Sequence, residues 1–212
     1  MKQFCEDEHS KAFAKIQFKF IKTSEKFDCF KFYYTFQMTT FQNTVGIPFN
    51  HKIQNETHSF MYFDFKTVTP DIVKFITPLT DKCFTTKSLF YPPSSNIFLL
   101  THNQQPICVA AVTFSYTKFV PKQLWKPPTI YLYNVCTDPK FRGHHLQEVL
   151  LGMAFSDLKH TYQIPFNVYL IVNIHNHSAD KLYSRLGFTK ILTTSNDTPD
   201  GQPANLLYLR YN

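Results

Sequence analysis

The stretch that most limits the fold runs from Thr129 to Leu158. Apolar residues fill Thr129–Thr137, and Pro139 then removes a backbone donor and fixes its own φ, which stops the run. A polar loop, Asp138 to His145, leads into apolar positions at Leu146, Val149, Leu150, Met153, Phe155 and Leu158. The first run reads as a strand and the second as a helix with one apolar stripe. A strand feeding a helix through so short a loop needs a sheet with that helix packed on its face. An all-helical bundle and an all-β sandwich are both excluded.

The rest of the chain from residue 60 agrees with mixed α/β. Phe60–Phe65 reads as a strand. Thr69 as N-cap and Pro70 at the first helical position start a helix with Ile72, Phe75, Ile76 and Leu79 on one face; Pro78 is expected to kink it or end it early. Asn96–Leu100 and Ile107–Tyr116 form a hairpin across His102-Asn103-Gln104. Lys118–Pro128, with the only Trp of the chain, Trp125, reads as a loop over the sheet, either packed there or forming a substrate wall. Phe166–Val172 is a strand. Ala179, Leu182, Tyr183 and Leu186 mark a helix closed by Gly187 in a left-handed cap. Thr189–Thr193 and Asn205–Tyr211 are the last strands.

The first part of the chain differs. Ile16, Phe18 and Phe20, then Phe30, Phe32, Tyr34, Phe36 and Met38, alternate with polar neighbours as strands do. Residues 39–58 are polar, carry Gly46 and Pro48, and read as a loop or linker. The chain therefore divides into a β-rich extension with linker, 1–59, and an α/β domain, 60–212. The aromatic share, 17% with 23 Phe and 12 Tyr, favours sheet.

Charge narrows the partners. The net charge is +7, but no run of Lys or Arg forms a nucleic-acid arm, so the excess fits a mildly basic surface or an anionic small partner. The N-terminus has no apolar signal region and no apolar stretch is long enough to span a bilayer. Five cysteines at wide spacing, without a C-x-x-C, suggest neither a zinc ribbon nor a redox pair. Cys136 is expected as a small buried residue, and a cytoplasmic, reducing setting is expected for the chain. His175 and His177 lack a third nearby ligand, so no metal is expected.

The loop before Leu146 carries the chemistry. The first amides of a helix have no intrahelical partner and sit at the positive end of its dipole, which suits a phosphate. Lys140 and Arg142 add charge, and Gly143 lets a ligand approach the backbone. The segment Thr137-Asp138-Pro139-Lys140-Phe141-Arg142-Gly143-His144-His145-Leu146-Gln147 resembles the V-x-P-x-x-R-G-x-G-x-G loop of the GNAT superfamily of acyl-CoA-dependent N-acyltransferases. Downstream, Asn176, Ala179, Leu182, Tyr183, Gly187 and Phe188 match that family's N-x-x-A-x-x-L-Y-x-x-x-G-F helix. The resemblance covers residues 60–212, and the pair of motifs in this order makes it specific.

The resemblance implies a GNAT-like fold with splayed central strands, and transfer of an acetyl group from acetyl-CoA to a primary amine by direct attack in a ternary complex. The amides of Arg142, Gly143, His144, His145 and Leu146 would hold the pyrophosphate. The backbone of Val135 and Thr137 would pair with the pantetheine arm, in the gap between Thr129–Thr137 and Phe166–Val172, and Asn176 would touch that arm. Tyr183 would protonate the leaving thiolate; by spacing alone it reads as a core tyrosine. His145 and Gln147 stand where the family has small residues. The family's Glu near Tyr131 or Tyr133 is missing, which leaves Tyr133, Asp138 or an ordered water as base. The alternative is a GNAT-fold binding module that has lost catalysis and uses its N-terminal aromatic sheet as a partner or homodimer face.

Overall fold

Eight strands lie in one mixed sheet in the computed structural model, which describes residues 46–84, 91–92, 94–115, 117–126, 128–195 and 201–212. They are β1 (Ile47–Ile53), β2 (Glu56–Phe65), β3 (Ser95–His102), β4 (Gln105–Thr113), β5 (Thr129–Thr137), β6 (Phe166–Asn173), β7 (Thr189–Thr194) and β8 (Ala204–Tyr211). Their order is β1-β2-β3-β4-β5-β6-β8-β7. Neighbours are antiparallel except β5 and β6, which run parallel. The helices are α1 (Pro70–Thr80), α2 (Leu146–Tyr162) and α3 (His177–Arg185). This is the mixed α/β architecture that the periodicity predicts.

Helix α2 covers one face of the sheet. Its Leu146, Leu150, Leu151 and Ala154 pack with Phe98, Ala110, Val112, Ile130 and Val168, all fully buried. Helix α1 covers the other face, with Ile72, Ile76 and Leu79 against Phe63, Leu99 and Val109. Thr69 caps α1 through its side chain, 3.3 Å from the Ile72 amide. The helix does not stop at Pro78. Proline there removes only its own amide bond in the last turn, and Asp81 still donates to the Thr77 carbonyl at 2.9 Å. Residues 117–125 lie on the α1 face beside α1: Val120, Leu124 and Trp125 pack with Tyr131, Tyr169 and Leu206. That segment is a packed loop.

Two readings need correction. Residues 47–58 are not a linker. They form β1 and the start of β2, joined by a two-residue turn, Gln54-Asn55, with both φ values positive (52° and 68°). Such a turn usually carries Gly, so its sequence signal is weak. Pro48 is tolerated because β1 is an edge strand. Gly46 is needed for packing: a Cβ there would come within 2.7 Å of the Met61 and Phe63 side chains. The alternation at 16–38 and the strand end at Tyr116 lie outside the described residues.

The second correction concerns Cys136, which is joined to Cys83 by a disulfide. Opposite β4, Val109 faces Cys136 and Ala111 faces Tyr133, so Asn134 and Val135 together face one residue. This is a β-bulge, with Asn134 at φ 50°. The extra residue reverses the alternation. Val135 joins the α2 face, while Cys136 turns towards α1 and reaches Cys83. Counting by twos from Ile130 puts Cys136 on the wrong face, which is why the pair is invisible in the sequence.

A buried carboxyl sits between β2 and α2. Tyr62 donates to Asp157 Oδ2 at 2.8 Å, and Asp64 Oδ1 is buried without a partner among the described residues. Burial, and then the Asp157 charge, push the Asp64 carboxyl up to about 6. The native state then binds more protons than the unfolded chain between about pH 4 and pH 6, so stability falls as pH rises through that window. Asp64→Asn should raise stability at pH 7 by about 1–2 kcal/mol and change it little at pH 4, read by denaturant melts. Reduction of Cys83–Cys136, which closes a loop of sequence separation 53, should lower stability by about 2–4 kcal/mol in the same assay.

Candidate active site

The parallel pair β5–β6 is joined only at its start. Thr129, Ile130 and Tyr131 pair with Asn167, Val168 and Tyr169, and beyond them the strands diverge. On its other side β6 stays paired with β8 along its whole length, and β5 stays paired with β4 through Thr137. The bulge at Asn134–Val135 lies in the diverging half. A cleft of about 730 Å³ occupies the gap. It reaches both faces of the sheet: Leu132, Val172 and Tyr183 line it on the α2 side, and Tyr133, Ile171 and Phe84 on the α1 side.

The loop between β5 and α2 borders this cleft. Pro139–Phe141 form a 3-10 turn capped by Asp138, whose Oδ1 accepts from the Lys140 amide at 3.0 Å. Lys82 Nζ lies 2.6 Å from Asp138 Oδ2. Burial alone would raise the Asp138 carboxyl, but the Lys82 and Lys140 contacts outweigh it and hold it below its ordinary value. A carboxylate so satisfied is a poor proton acceptor, so Asp138 is a loop anchor. His51 from β1 donates to the His144 carbonyl at 3.0 Å and ties the loop to the hairpin at the sheet edge.

Gly143 adopts φ 81° and His145 φ 57°. The amides of Gly143, His144, His145, Leu146 and Gln147 donate to no acceptor among the described residues. The Arg142 amide is partly engaged, 3.4 Å from the Pro139 carbonyl. The Arg142 side chain turns back to β5, where Nε donates to the Thr137 carbonyl at 3.2 Å.

The two bulky departures are absorbed without filling the cradle. Gln147 is buried and accepts from Thr137 Oγ1 at 2.9 Å. His145 takes the left-handed backbone that a glycine would take more easily, and its imidazole turns outwards to Glu148 Oε1 at 2.8 Å. Glu148 also receives Arg185 Nε at 2.8 Å, and this ion pair joins the start of α2 to the end of α3. Sequence reasoning missed Glu148, Arg185 and Cys83 as members of the cleft wall. Their partners are far away in the chain, and nothing in the local pattern marks them.

From the other side, α3 contributes Asn176 and Tyr183. Asn176 is the N-cap, its Oδ1 accepting from the Ala179 amide at 3.1 Å, and it borders the cleft. Gly187, at φ 87°, ends the helix, and the Phe188 amide returns to the Tyr183 carbonyl at 3.0 Å. Tyr183 is buried edge-on to Phe188, with ring centres 5.5 Å apart. Its hydroxyl makes no hydrogen bond among the described residues. Burial holds the phenol well above its ordinary pKa, so it is neutral and carries its proton. Val135, Thr137, Arg142–Leu146 without His144, Asn176 and Tyr183 all line one cleft; His144 stands beside it in the loop. Among the described residues no group of three His, Cys, Asp or Glu could hold a metal ion, and no helix is long and apolar enough to cross a membrane.

A helix start whose amides are unpartnered among the described residues, opening on a gap between parallel strands, can receive an anion. The acetyltransferase (GNAT) family matches residues 56–188. No curated protein matches the chain. Among solved structures, the ribosomal-protein-S18-alanine N-acetyltransferase from Escherichia coli aligns at 19% identity and TM-score 0.55, over 72% of this chain and 95% of its own. Arabidopsis thaliana NAA60 with a bisubstrate analogue aligns at 14% identity and TM-score 0.56, over 72% and 99%. The NatC complex bound to Gag peptide and CoA aligns at 17% identity and TM-score 0.54, over 72% and 99%. At such identities these likenesses speak for the fold, and the family match speaks for the lineage: the chain belongs to the GNAT family of acetyltransferases.

Proposed function

We propose that this protein moves an acetyl group from acetyl-CoA to a primary amine. The observation that carries the reading is the set of amides at Gly143–Gln147, unpartnered among the described residues and opening onto the gap between β5 and β6. The pyrophosphate would lie on those amides. The pantetheine arm would run along β5 at Val135 and Thr137, with Asn176 across from it. Since Arg142 occupies the Thr137 carbonyl, the arm would displace the guanidinium or use the Val135 side of the strand alone.

The amine nitrogen attacks the thioester carbonyl carbon, the carbon–sulfur bond breaks, and Tyr183 gives its proton to the departing sulfur. Solvent reprotonates Tyr183, and the nitrogen sheds its extra proton to water. A phenol held in its neutral form is suited to this role. A peptide acceptor is the first to try, because the E. coli neighbour is a ribosomal-protein-S18-alanine N-acetyltransferase and the NatC complex carries Gag peptide. A cytoplasmic location belongs to the same proposal, since acetyl-CoA is made and used inside cells. In a reducing compartment Cys83–Cys136 would then be a reversible pair.

Calorimetry with acetyl-CoA tests the binding half, and an amine panel (a short peptide, a blocked lysine, spermidine, glucosamine) assayed for free CoA thiol tests the reaction. Binding without turnover on any amine would favour a non-catalytic binding module, and no binding at millimolar acetyl-CoA would defeat the proposal. Tyr183→Phe should lower kcat by about 10²-fold while leaving the acetyl-CoA Kd within about twofold. Unchanged kcat would remove the acid role.

A further inference from the structure

On the α1 side of the cleft, the polarity of one buried hydroxyl can be assigned. Ser95 Oγ lies 2.6 Å from the Pro92 carbonyl oxygen. A carbonyl only accepts, so the single Ser95 proton goes to Pro92. Ser95 Oγ also bonds to Tyr133 Oη. With its own proton already committed, the serine oxygen accepts, and Tyr133 donates. The phenol oxygen of Tyr133 then has only acceptor capacity left. Ser95 is fully buried in β3, so the fold holds this arrangement.

Tyr133 lies on β5 two residues beyond Tyr131, the last residue paired with β6, and lines the cleft. Its ring stacks on Tyr131 at 6.2 Å and meets Tyr91 at the same distance. Nearby, the buried Tyr91 Oη and Asn134 Nδ2 face each other without a well-formed hydrogen bond.

We propose that Tyr133 receives the acceptor amine: its oxygen accepts a hydrogen bond from an amine N–H and so turns the nitrogen lone pair towards the thioester carbonyl. This rests on the acyl-transfer reading above and names the residue that serves its second substrate. Ser95, locked to Pro92, is the positioning residue behind it. Tyr133 does not remove the proton. Burial raises its phenol far above the working range; the Ser95 hydrogen bond pulls it back in part, and Tyr91 adds a smaller rise. The titratable groups facing Tyr133 are Tyr91, from the segment before β3, and Tyr131, from its own strand; no charged side chain acts on it among the described residues. The amine therefore arrives neutral from water. After attack, its surplus proton leaves to solvent, the carbon–sulfur electrons go to sulfur, and the products are an amide and free CoA thiol.

The test uses the full chain and whichever amine of the panel is turned over. Tyr133→Phe should raise the amine KM at least tenfold and lower kcat/KM about 10²-fold, with acetyl-CoA affinity by calorimetry unchanged within about twofold. Ser95→Ala frees the Tyr133 proton to point at the amine. It should lower kcat/KM about tenfold in Tyr133 protein and add nothing in the Tyr133→Phe background. The pH profile of kcat/KM should rise to the amine's own pKa with the same midpoint in both proteins. An unchanged amine KM in Tyr133→Phe overturns the proposal, as does a moved pH midpoint, which would make the phenol a titrating base. Weakened acetyl-CoA binding in that variant also overturns it. A wild-type protein that binds no acetyl-CoA defeats the parent reading, and this one with it; wild-type turnover with an indifferent Tyr133→Phe defeats this one alone.

Discussion

One extra residue in β5 organises the site. The bulge at Asn134–Val135 bends that strand and coincides with the half in which it leaves β6. Backbone groups that would have closed a ladder instead face a cleft. The same extra residue reverses the alternation, so Cys136 meets Cys83 below the sheet while Val135 stays with the α2 core. Without the bulge a nine-residue strand would present Tyr133 and Cys136 on opposite faces. With it, both face α1, and the cleft acquires an aromatic floor beside a covalent tether. The left-handed backbone of Asn134 costs about 1 kcal/mol in a residue that tolerates it better than most.

Around that gap the polar side chains are mostly paired with one another. Asp138 is held by Lys82 and the Lys140 amide, Gln147 by Thr137, and Glu148 by His145 and Arg185. These pairings keep bulky or charged groups out of the helix start, where five amides have no acceptor among the described residues. They also explain how a loop with His145 and Gln147 in place of small residues keeps its shape. The imidazole leaves through the outer rim and the amide folds inwards, so the backbone arrangement survives the loss of the glycines.

Much of this was legible before any coordinates. Periodicity places β5, β6 and α3 within a residue or two and starts α2 at Leu146, though α2 runs on past Leu158 to Tyr162, because strands buried on two faces and a helix with one apolar stripe leave strong patterns. Gly187 marked the end of α3 because only a left-handed cap suits that position. The failures share a cause: they depend on where the backbone departs from regular geometry. The hairpin Gln54-Asn55 makes its turn without glycine, the helix α1 passes Pro78 because its last turn can lose one bond, and the disulfide depends on a bulge that no spacing rule reveals. The polarity of Tyr133 needed coordinates as well, since it follows from Ser95 lying against the Pro92 carbonyl.

The three rungs between β5 and β6 carry a mechanical consequence. Five strands lie on one side of that seam and three on the other, and above Tyr131 and Tyr169 no strand-to-strand bond crosses it. An extended molecule with its own amide groups, lying along the open margin, would supply the missing rungs. The sheet would then be complete only when loaded, and its two halves would be stitched by cargo where protein leaves off.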